Sequence, residues 1–128
     1  MIMSDFKYPK EEKLKKKAEI DLLFAKGKWR TYGNLRIIIL KNHTDLQNEN
    51  VKIGVSVSKR YFKKAVYRNR VKRLLRECYR LNKELFRDSF GEKTVAMLFW
   101  VSNELPEKFQ DVEAQFIKLC QLQSQKKS

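Results

Sequence analysis

The chain has 128 residues, of which 42% are hydrophobic and 12% aromatic, and this composition excludes a disordered or low-complexity protein. We expect one domain over 1–128, with loose ends at about 1–12 and 122–128. No run of 18 apolar residues is present and the N-terminal stretch is polar, so we expect neither a transmembrane helix nor a signal peptide. The formal net charge of +14 points to an anionic partner, either a nucleic acid or a membrane surface.

The first half of the chain predicts one helix followed by two strands. Residues 16–26 place apolar side chains at helical spacing and end before Gly27. LRIIILK (35–41) is short and rich in β-branched residues, and VKIGVSVS (51–58) alternates apolar with small or polar side chains. A polar segment joins these two strands, which predicts an antiparallel hairpin.

The next segment, AVYRNRVKRLLRECYR (65–80), combines a helical apolar stripe with a high density of cations. Val71, Leu74, Leu75 and Cys78 recur at spacings of three and four residues, so one helix face should pack against the core. Residues 59–80 contain ten Lys or Arg and one Glu, a local net charge of +9. Like charges at helical spacing repel one another. An anion outside the chain would account for their retention.

The remaining elements predict a mixed fold. TVAMLFWV (94–101) is a continuous apolar run of strand length, typical of a strand buried on both faces. Pro106 is the predicted start of a last helix. The order α-β-β-α-β-α predicts an α+β sandwich in which helices cover a small sheet. Cys78 and Cys120 lie at apolar helical positions and are predicted to be free, buried thiols in a reducing cytoplasm.

Three interpretations of the basic helix compete. A solvated face without a specific role usually mixes charges of both signs, and this face does not. A membrane-binding helix exposes apolar side chains opposite its charges, whereas here the core requires the apolar stripe. In nucleic-acid binding, Arg side chains are bidentate phosphate ligands and counterion release supplies affinity. We therefore favour nucleic acid over the other two.

Aromatic residues near the cations favour RNA over duplex DNA, because unpaired bases stack on aromatic rings. The strand 51–58 has small side chains on its polar face and ends at two cations, which leaves room for a strand of RNA. Plain solvent exposure explains that face equally well. The predicted RNA-binding residues are the cations and one amide of the basic segment: Lys59, Arg60, Arg68, Asn69, Arg70, Lys72, Arg73, Arg76 and Arg80.

GVSVSKR (54–60) followed by AVYRNRVKRLLRE (65–77) closely resembles the signature of the bacterial ribonuclease P protein component. That signature is a strand ending S-V-S-K-K/R, a short connection, and A-V-x-R-N-R-x-K-R-x-x-R-E on a helix. The resemblance extends over most of the chain. It has two departures: the connection at 61–64 is longer than usual, and Ile20 stands where some members carry a phenylalanine in a cleft. The residues that fall on the helix motif are Arg68, Asn69, Arg70, Lys72, Arg73 and Arg76.

The resemblance implies a cytoplasmic ribonucleoprotein that removes the 5′ leader of precursor tRNA by hydrolysing one phosphodiester bond, with this chain as its accessory subunit. The implied partners are the catalytic RNA subunit and precursor tRNA, with no protein partner required. Mg²⁺ ions are implied to be held mainly by the RNA subunit and the substrate. A left-handed β-α-β crossover is also implied, against the usual preference.

The resemblance further implies that the basic helix contacts the catalytic RNA and that a cleft between the sheet and the first helix receives the leader. The residues predicted for this cleft are Phe24, Lys52, Ser56 and Ser58. A core position for Phe24 is the alternative.

The residues themselves argue against a protein active site. Metal-assisted hydrolysis requires converging carboxylates, and the strands 35–41, 51–58 and 94–101 contain no Asp or Glu. Acid–base cleavage usually requires His, and His43, the only histidine, lies in a polar loop. We therefore predict no catalytic and no metal-binding residue in this chain. A ribosomal or RNA-assembly protein without an enzymatic role is the remaining alternative.

Overall fold

The structure, a computed structural model, describes residues 13–14, 17–41, 51–91 and 93–126. Within these residues the chain forms a four-stranded sheet with helices on both faces, which confirms the predicted α+β class. The elements in chain order are α1 (Lys17–Lys26), β1 (Lys28–Tyr32), β2 (Leu35–Lys41), β3 (Lys52–Ser56), α2 (Ala65–Leu81), α3 (Lys83–Phe90), β4 (Thr94–Trp100) and α4 (Phe109–Lys126). His43 and the predicted loose end at 1–12 lie outside the described residues, whereas α4 continues through part of the predicted loose end at 122–128.

The strand order is β1-β2-β4-β3, so β4 is inserted between β2 and β3. Strand β4 pairs antiparallel with β2 and parallel with β3. The predicted antiparallel hairpin of 35–41 and 51–58 is therefore wrong. The reason is burial: β4 is fully buried except at the half-buried Met97 and Phe99, and a central position gives so apolar a strand a neighbour on each edge. The connection from β3 to β4 runs through α2 and α3, and its left-handedness stays a prediction.

Strand β1 is absent from the sequence-based expectation because most of its side chains are exposed. It forms a hairpin with β2 through the two-residue turn Gly33–Asn34. Gly33 has a φ of 58°, a conformation that glycine adopts without strain, and Gly-Asn is a typical hairpin connection. The Asn34 N–H donates to Oε1 of Gln115 at 2.6 Å, which ties the turn to α4. In the sequence, the dipeptide Gly33–Asn34 was the signal that could have predicted this hairpin and, with it, β1.

Helix α3 is the second unpredicted element. Phe86 and Phe90 are buried at a spacing of four residues, and Gly91 ends the helix with a φ of 109°. The junction with α2 is held by Asn82, whose Nδ2 donates to the Cys78 carbonyl at 2.8 Å and to Glu113 Oε2 at 3.0 Å. Several element bounds also differ: β3 spans Lys52–Ser56 rather than 51–58, β4 ends at Trp100 rather than residue 101, and α4 begins at Phe109 rather than at Pro106.

The two faces of the sheet are covered unequally. On one face, Ile37 and Leu98 belong to a large core completed by α2, α3 and α4. On the other face α1 packs, with Leu23 against Ile38 and Leu40, and Leu14 belongs to the same buried cluster. The part of this second face that α1 and Leu14 leave uncovered is called the open face below. No helix of the described residues is long and apolar enough to cross a bilayer.

Cys78 and Cys120 are both free and buried, as predicted. Burial raises the pKa of the Cys78 thiol to about 12, with further increases from the negative charges of Glu113 and Glu77. Burial likewise raises the pKa of Cys120 to about 12, although a hydrogen bond with Ser89 acts in the opposite direction. Since the thiolate is the reactive species, both side chains should be inert in the folded protein.

We expect disulfide reagents at mildly alkaline pH to label both thiols at least about a hundredfold more slowly in the native chain than in denaturant.

The folded pKa values exceed those of the unfolded thiols, so the neutral thiols contribute their full stability below about pH 9. That contribution is lost as pH rises towards 12. Thiol labelling against pH measures both effects, and rapid labelling of either cysteine in the native chain would contradict this burial.

Candidate RNA interface

The apolar stripe of α2 faces the large core, as predicted. Val71, Leu75, Cys78 and Tyr79 are buried there, and Leu74 packs against them half-buried. Opposite this stripe lies the basic face of α2, formed by the exposed side chains of Asn69, Arg70, Arg73 and Arg76. Within the described residues, none of these three arginines forms an ion pair with a carboxylate. Their charges are therefore available to an external anion.

The basic face continues into a depression near the N-terminal end of α2. Its volume is about 420 Å³. The side chains of Val66 and Tyr67 are 65% and 41% exposed there. An exposed aromatic ring beside guanidinium groups suits an unpaired base with its phosphate, because the ring stacks while the cations neutralise charge. The residues that line this depression are Val66, Tyr67, Asn69, Arg70 and Arg73.

Arg68 has a different position from the rest of the motif. It is half-buried, and its Nη1 donates to the carbonyl oxygens of Phe62 at 2.9 Å and Lys63 at 2.7 Å. Phe62 in turn is buried in the large core. The long connection at 61–64 is thus anchored by one buried ring and one guanidinium. Arg68 therefore holds the backbone of the connection before α2, in addition to carrying a positive charge.

Lys59 and Arg60 are exposed in the turn that follows β3. Ser58 organises this turn: its Oγ accepts a hydrogen bond from the Arg60 N–H at 3.1 Å, and its carbonyl accepts from the Tyr61 N–H at 3.1 Å. Ser58 therefore lies beyond the strand, not on it. The turn places both cations in the connection between the end of β3 and the start of α2.

The last two predicted cations are less available. Lys72 is half-buried on the flank of α2. Arg80 pairs with Glu77 one turn earlier on the same helix, so part of its charge is already compensated. The basic segment is thus divided between exposed cations and cations held by the protein.

An aromatic cluster of Phe24, Trp29 and Phe99 occupies the open face. The ring centroids are 6.0 Å apart for Phe24 and Trp29, 6.2 Å for Phe24 and Phe99, and 5.5 Å for Trp29 and Phe99. The guanidinium of Arg36 lies 4.1 Å from the centre of the Trp29 ring. Phe24 is 46% exposed, so the alternative core position for it is wrong. The cluster offers stacking surface beside a cation.

Sheet register places the small residues of β3 next to this cluster. Arg36 lies opposite Phe99, and Phe99 lies opposite Ser56, so these three residues form one row across the open face. In the neighbouring row, a Cβ added to Gly54 would come 3.3 Å from the Met97 methyl group. The Cβ of Leu14 lies 3.5 Å from the same added Cβ, so Gly54 makes room for Leu14 and Met97, and Ser56 is the small residue of β3 beside the cluster.

Lys52 begins β3 at the edge of α1. Its ammonium lies 3.1 and 3.2 Å from the two carboxylate oxygens of Glu19 on α1. The pair is partly shielded from solvent, and it joins α1 to the sheet. Lys52 therefore reaches the cleft with a charge that Glu19 already compensates.

The open face carries three residues that the sequence prediction of the cleft did not name. Trp29 was recognisable only as an aromatic residue near cations, and Arg36 only as one polar residue in an apolar strand. Phe99 stands inside the apolar run of β4, where nothing marks it as facing outward. Only the strand order β1-β2-β4-β3 brings these side chains together.

The described residues contain no group of three or more His, Cys, Asp or Glu side chains that could hold a metal ion. They therefore do not fit a Mg²⁺ site within this part of the chain.

The Ribonuclease P family model matches residues 8–122. The chain belongs to this family. Both motif segments, 54–60 and 65–77, lie within the matched range, so the resemblance read from them is confirmed. The matched range also includes α1 and β4.

Individual ribonuclease P proteins resemble the chain over most of its length. The ribonuclease P protein component of Porphyromonas gingivalis is 40% identical over 112 residues, which cover 84% of this chain and 80% of that protein. The component of Clostridium botulinum is 36% identical over 113 residues, covering 86% and 92%. The structure of the RNase P protein from Thermotoga maritima superposes with a TM-score of 0.70 at 23% identity, covering 87% of this chain and 96% of that one.

We expect RNA affinity to depend strongly on salt. If about half of the ten cations in residues 59–80 contact phosphates, the logarithm of the binding constant should fall with the logarithm of salt concentration with a slope of roughly −4. Filter binding to ribonuclease P RNA over a salt series measures this slope. A slope near zero would show that phosphate neutralisation does not supply the affinity.

Substitution of two arginines of the motif should distinguish a residue that contributes only to RNA affinity from one that also stabilises the fold. Arg70→Ala should weaken RNA binding without changing the thermal midpoint, because its side chain is exposed and makes no ion pair within the described residues. Arg68→Ala should weaken binding and also destabilise the fold by about 1–2 kcal/mol, since two carbonyl oxygens lose their donor.

Leu75→Ala is the control for these two variants. Truncating this buried side chain should lower the free energy of unfolding by about 2–5 kcal/mol. Thermal unfolding and RNA affinity are measured on all three variants. Equal thermal destabilisation of Arg70→Ala and Arg68→Ala would mean that the faces of α2 are assigned wrongly.

Proposed function

We propose that this chain is the protein subunit of ribonuclease P, which assists the RNA subunit in removing the 5′ leader of precursor tRNA. The observation that carries the proposal is the match to the family over residues 8–122, together with an unpaired basic face of α2 within it. The proposed partners are the catalytic RNA and precursor tRNA, in the cytoplasm. The Porphyromonas gingivalis and Clostridium botulinum relatives bear the name of this component.

The basic face of α2 is proposed to bind the catalytic RNA. Arg70, Arg73 and Arg76 project from one rigid helix whose other side is anchored in the core. A guanidinium donates two parallel hydrogen bonds to a phosphate, so three of them on successive turns suit a phosphodiester backbone. Neutralising that backbone releases condensed counterions and allows two RNA molecules to approach each other.

The open face is proposed to receive the single-stranded leader. Bases of the leader would stack on the aromatic cluster, while Lys59 and Arg60 at the end of β3 contact its backbone. The small side chain of Ser56, beside Phe99, leaves room for the chain to pass. Arg36 lies over Trp29 and adds a cation next to the stacking surface.

The chemistry of cleavage is proposed to belong to the RNA. Mg²⁺ ions held by the RNA subunit and the substrate would supply Lewis-acid catalysis and a bound hydroxide. The protein's contribution is then to position the substrate and to lower the repulsion between two polyanions. That effect should be largest when the ion concentration is low.

The direct experiment is reconstitution with a ribonuclease P RNA at low Mg²⁺, with precursor tRNA as substrate. The chain should restore cleavage that the RNA alone performs poorly under these conditions, and the chain alone should not cleave. RNA binding without any stimulation of cleavage would support instead a ribosomal or assembly protein.

Removing one ring of the aromatic cluster should reduce the preference for leader-bearing substrate. Stacking of one base contributes about 1–3 kcal/mol, so Phe24→Ala or Trp29→Ala should lower the ratio of affinities for precursor and mature tRNA at least about fivefold. Affinity for the catalytic RNA should stay unchanged. Equilibrium binding of both tRNA forms to the reconstituted holoenzyme measures this ratio.

Tyr32→Ala is the matched control. Tyr32 is an exposed aromatic residue of β1, but strand alternation places it with Arg30 on the face opposite Trp29. Its removal should leave the ratio unchanged. If the two cluster variants keep the full preference, or if Tyr32→Ala loses as much, the leader binds elsewhere.

A further inference from the structure

A second group of cations lies at the β1 edge of the sheet, whereas α2 packs beside β3 at the other edge. These cations surround a pocket of about 250 Å³. The pocket lies where the end of α1, the strands β1 and β2 and the last turns of α4 meet. Among the described residues, its lining contains no carboxylate and consists of Lys26, Lys28, Arg30, Lys41, Ile39, Leu40 and Gln123.

Two polar groups of this pocket are fixed by the protein. Arg30 donates from Nε to Gln123 Oε1 at 3.2 Å and from Nη1 to the Trp29 carbonyl at 3.0 Å. These two bonds orient its guanidinium and leave other N–H groups for a ligand. Gln123 is 7% exposed, and within the described residues its Nε2 amide has no acceptor. A buried donor without an acceptor is costly, and an oxygen atom placed in the pocket would satisfy it.

Three cations of the pocket also lack a carboxylate partner. Within the described residues, neither Lys26 nor Lys28 nor Arg30 forms an ion pair. The carboxyl end of α4 attracts cations, but this attraction is modest and fades beyond the last turn. It does not account for an oriented guanidinium together with a buried amide donor. An anion with several acceptor oxygens accounts for all three features.

The donor set selects the kind of anion. A carboxylate is planar and is satisfied by one guanidinium, whereas a phosphate group presents oxygens in several directions. Here a guanidinium, an amide and lysines approach from different elements of the fold. We propose that this pocket binds one phosphate group, and that this group is a phosphodiester of RNA contacted at the sheet edge remote from α2.

The assignment of the phosphate to RNA rests on the proposed function, but the phosphate chemistry of the pocket does not. With two phosphate-binding surfaces at opposite edges of its sheet, the protein would bridge two segments of RNA backbone. The basic face of α2 alone would leave the protein free to pivot on the RNA. A second contact at the β1 edge would fix its orientation, and with it the direction of the open face.

The pocket is tested with the full-length, isotope-labelled chain titrated with inorganic phosphate and with pyrophosphate. The side-chain amide signal of Gln123 and the Nε signal of Arg30 should shift and saturate. Gln123→Glu keeps the size of the side chain but places a carboxylate beside Arg30, so pyrophosphate should bind about tenfold more weakly, equivalent to about 1.4 kcal/mol. Absence of saturable shifts at these two groups in the unsubstituted chain would overturn the pocket.

Gln121→Glu is the matched control, because it makes the same change of charge at an exposed position two residues earlier on α4. It should leave pyrophosphate affinity unchanged. If Gln121→Glu weakens pyrophosphate binding as much as Gln123→Glu does, the loss comes from net charge alone and the site is overturned. Lys28→Ala provides a second variant at an exposed position, should Gln123→Glu fold poorly. It should weaken pyrophosphate binding about threefold, and full retention of affinity would again overturn the site.

A salt series on ribonuclease P RNA identifies the source of the phosphate. Loss of one phosphodiester contact in Gln123→Glu should make the slope less negative by about 0.7–0.9, with no change in Gln121→Glu. An unchanged slope in a variant that has lost pyrophosphate binding would assign the pocket to a free phosphate compound and overturn the RNA assignment. Failure of the proposed function differs, because the unsubstituted chain would then neither bind nor activate the RNA while still binding pyrophosphate.

Discussion

The position of β4 at the centre of the sheet determines which residues share each face of the sheet. The strand is apolar on both faces, and it joins the large core under α2, α3 and α4 to the smaller core under α1. Its pairing with β2 on one edge and β3 on the other sets the register of the whole sheet. That register places Arg36, Phe99 and Ser56 in one row. The connection from β3 to β4 runs through α2 and α3, and burial of the apolar stripe of α2 leaves its basic face directed outward.

The basic helix depends on this packing for its existence. Its cations repel one another, and its first turn contains no acidic residue to favour the helix dipole. Burial of Val71, Leu75, Cys78 and Tyr79 offsets this cost, since each large apolar side chain removed from water contributes about 1.5–3 kcal/mol. The core thus holds the charges in a rigid array before RNA arrives. A flexible basic segment would lose conformational entropy on binding, and this helix avoids most of that loss.

The sequence predicted those features that depend on local periodicity, and missed those that depend on strand order. The faces of α2 follow from spacings of three and four residues, and the positions of β2 and β4 follow from continuous apolar runs. The partner of β3 could not be read in this way, because a polar connection after β2 is equally compatible with a hairpin and with the insertion of β4. Trp29, Arg36 and Phe99 therefore stayed unassigned as cleft residues, since no two of them are neighbours in sequence. The turn Gly33–Asn34 did carry a local signal for β1, and the exposed alternation of that strand obscured it.

A count of cations also overstates how many of them are available to an external anion. Ten Lys or Arg lie between residues 59 and 80, yet Arg68 is engaged with two carbonyl oxygens and Arg80 with Glu77. Lys52 is similarly engaged with Glu19. These cations stabilise the surfaces on which the exposed ones are displayed: Arg68 fixes the connection before α2, and Lys52 fixes α1 beside the sheet. A motif that looks like a uniform array of phosphate ligands therefore contains two kinds of residue. Some are exposed and available to an external anion, and others are held by acceptors of the protein and keep the first kind in place.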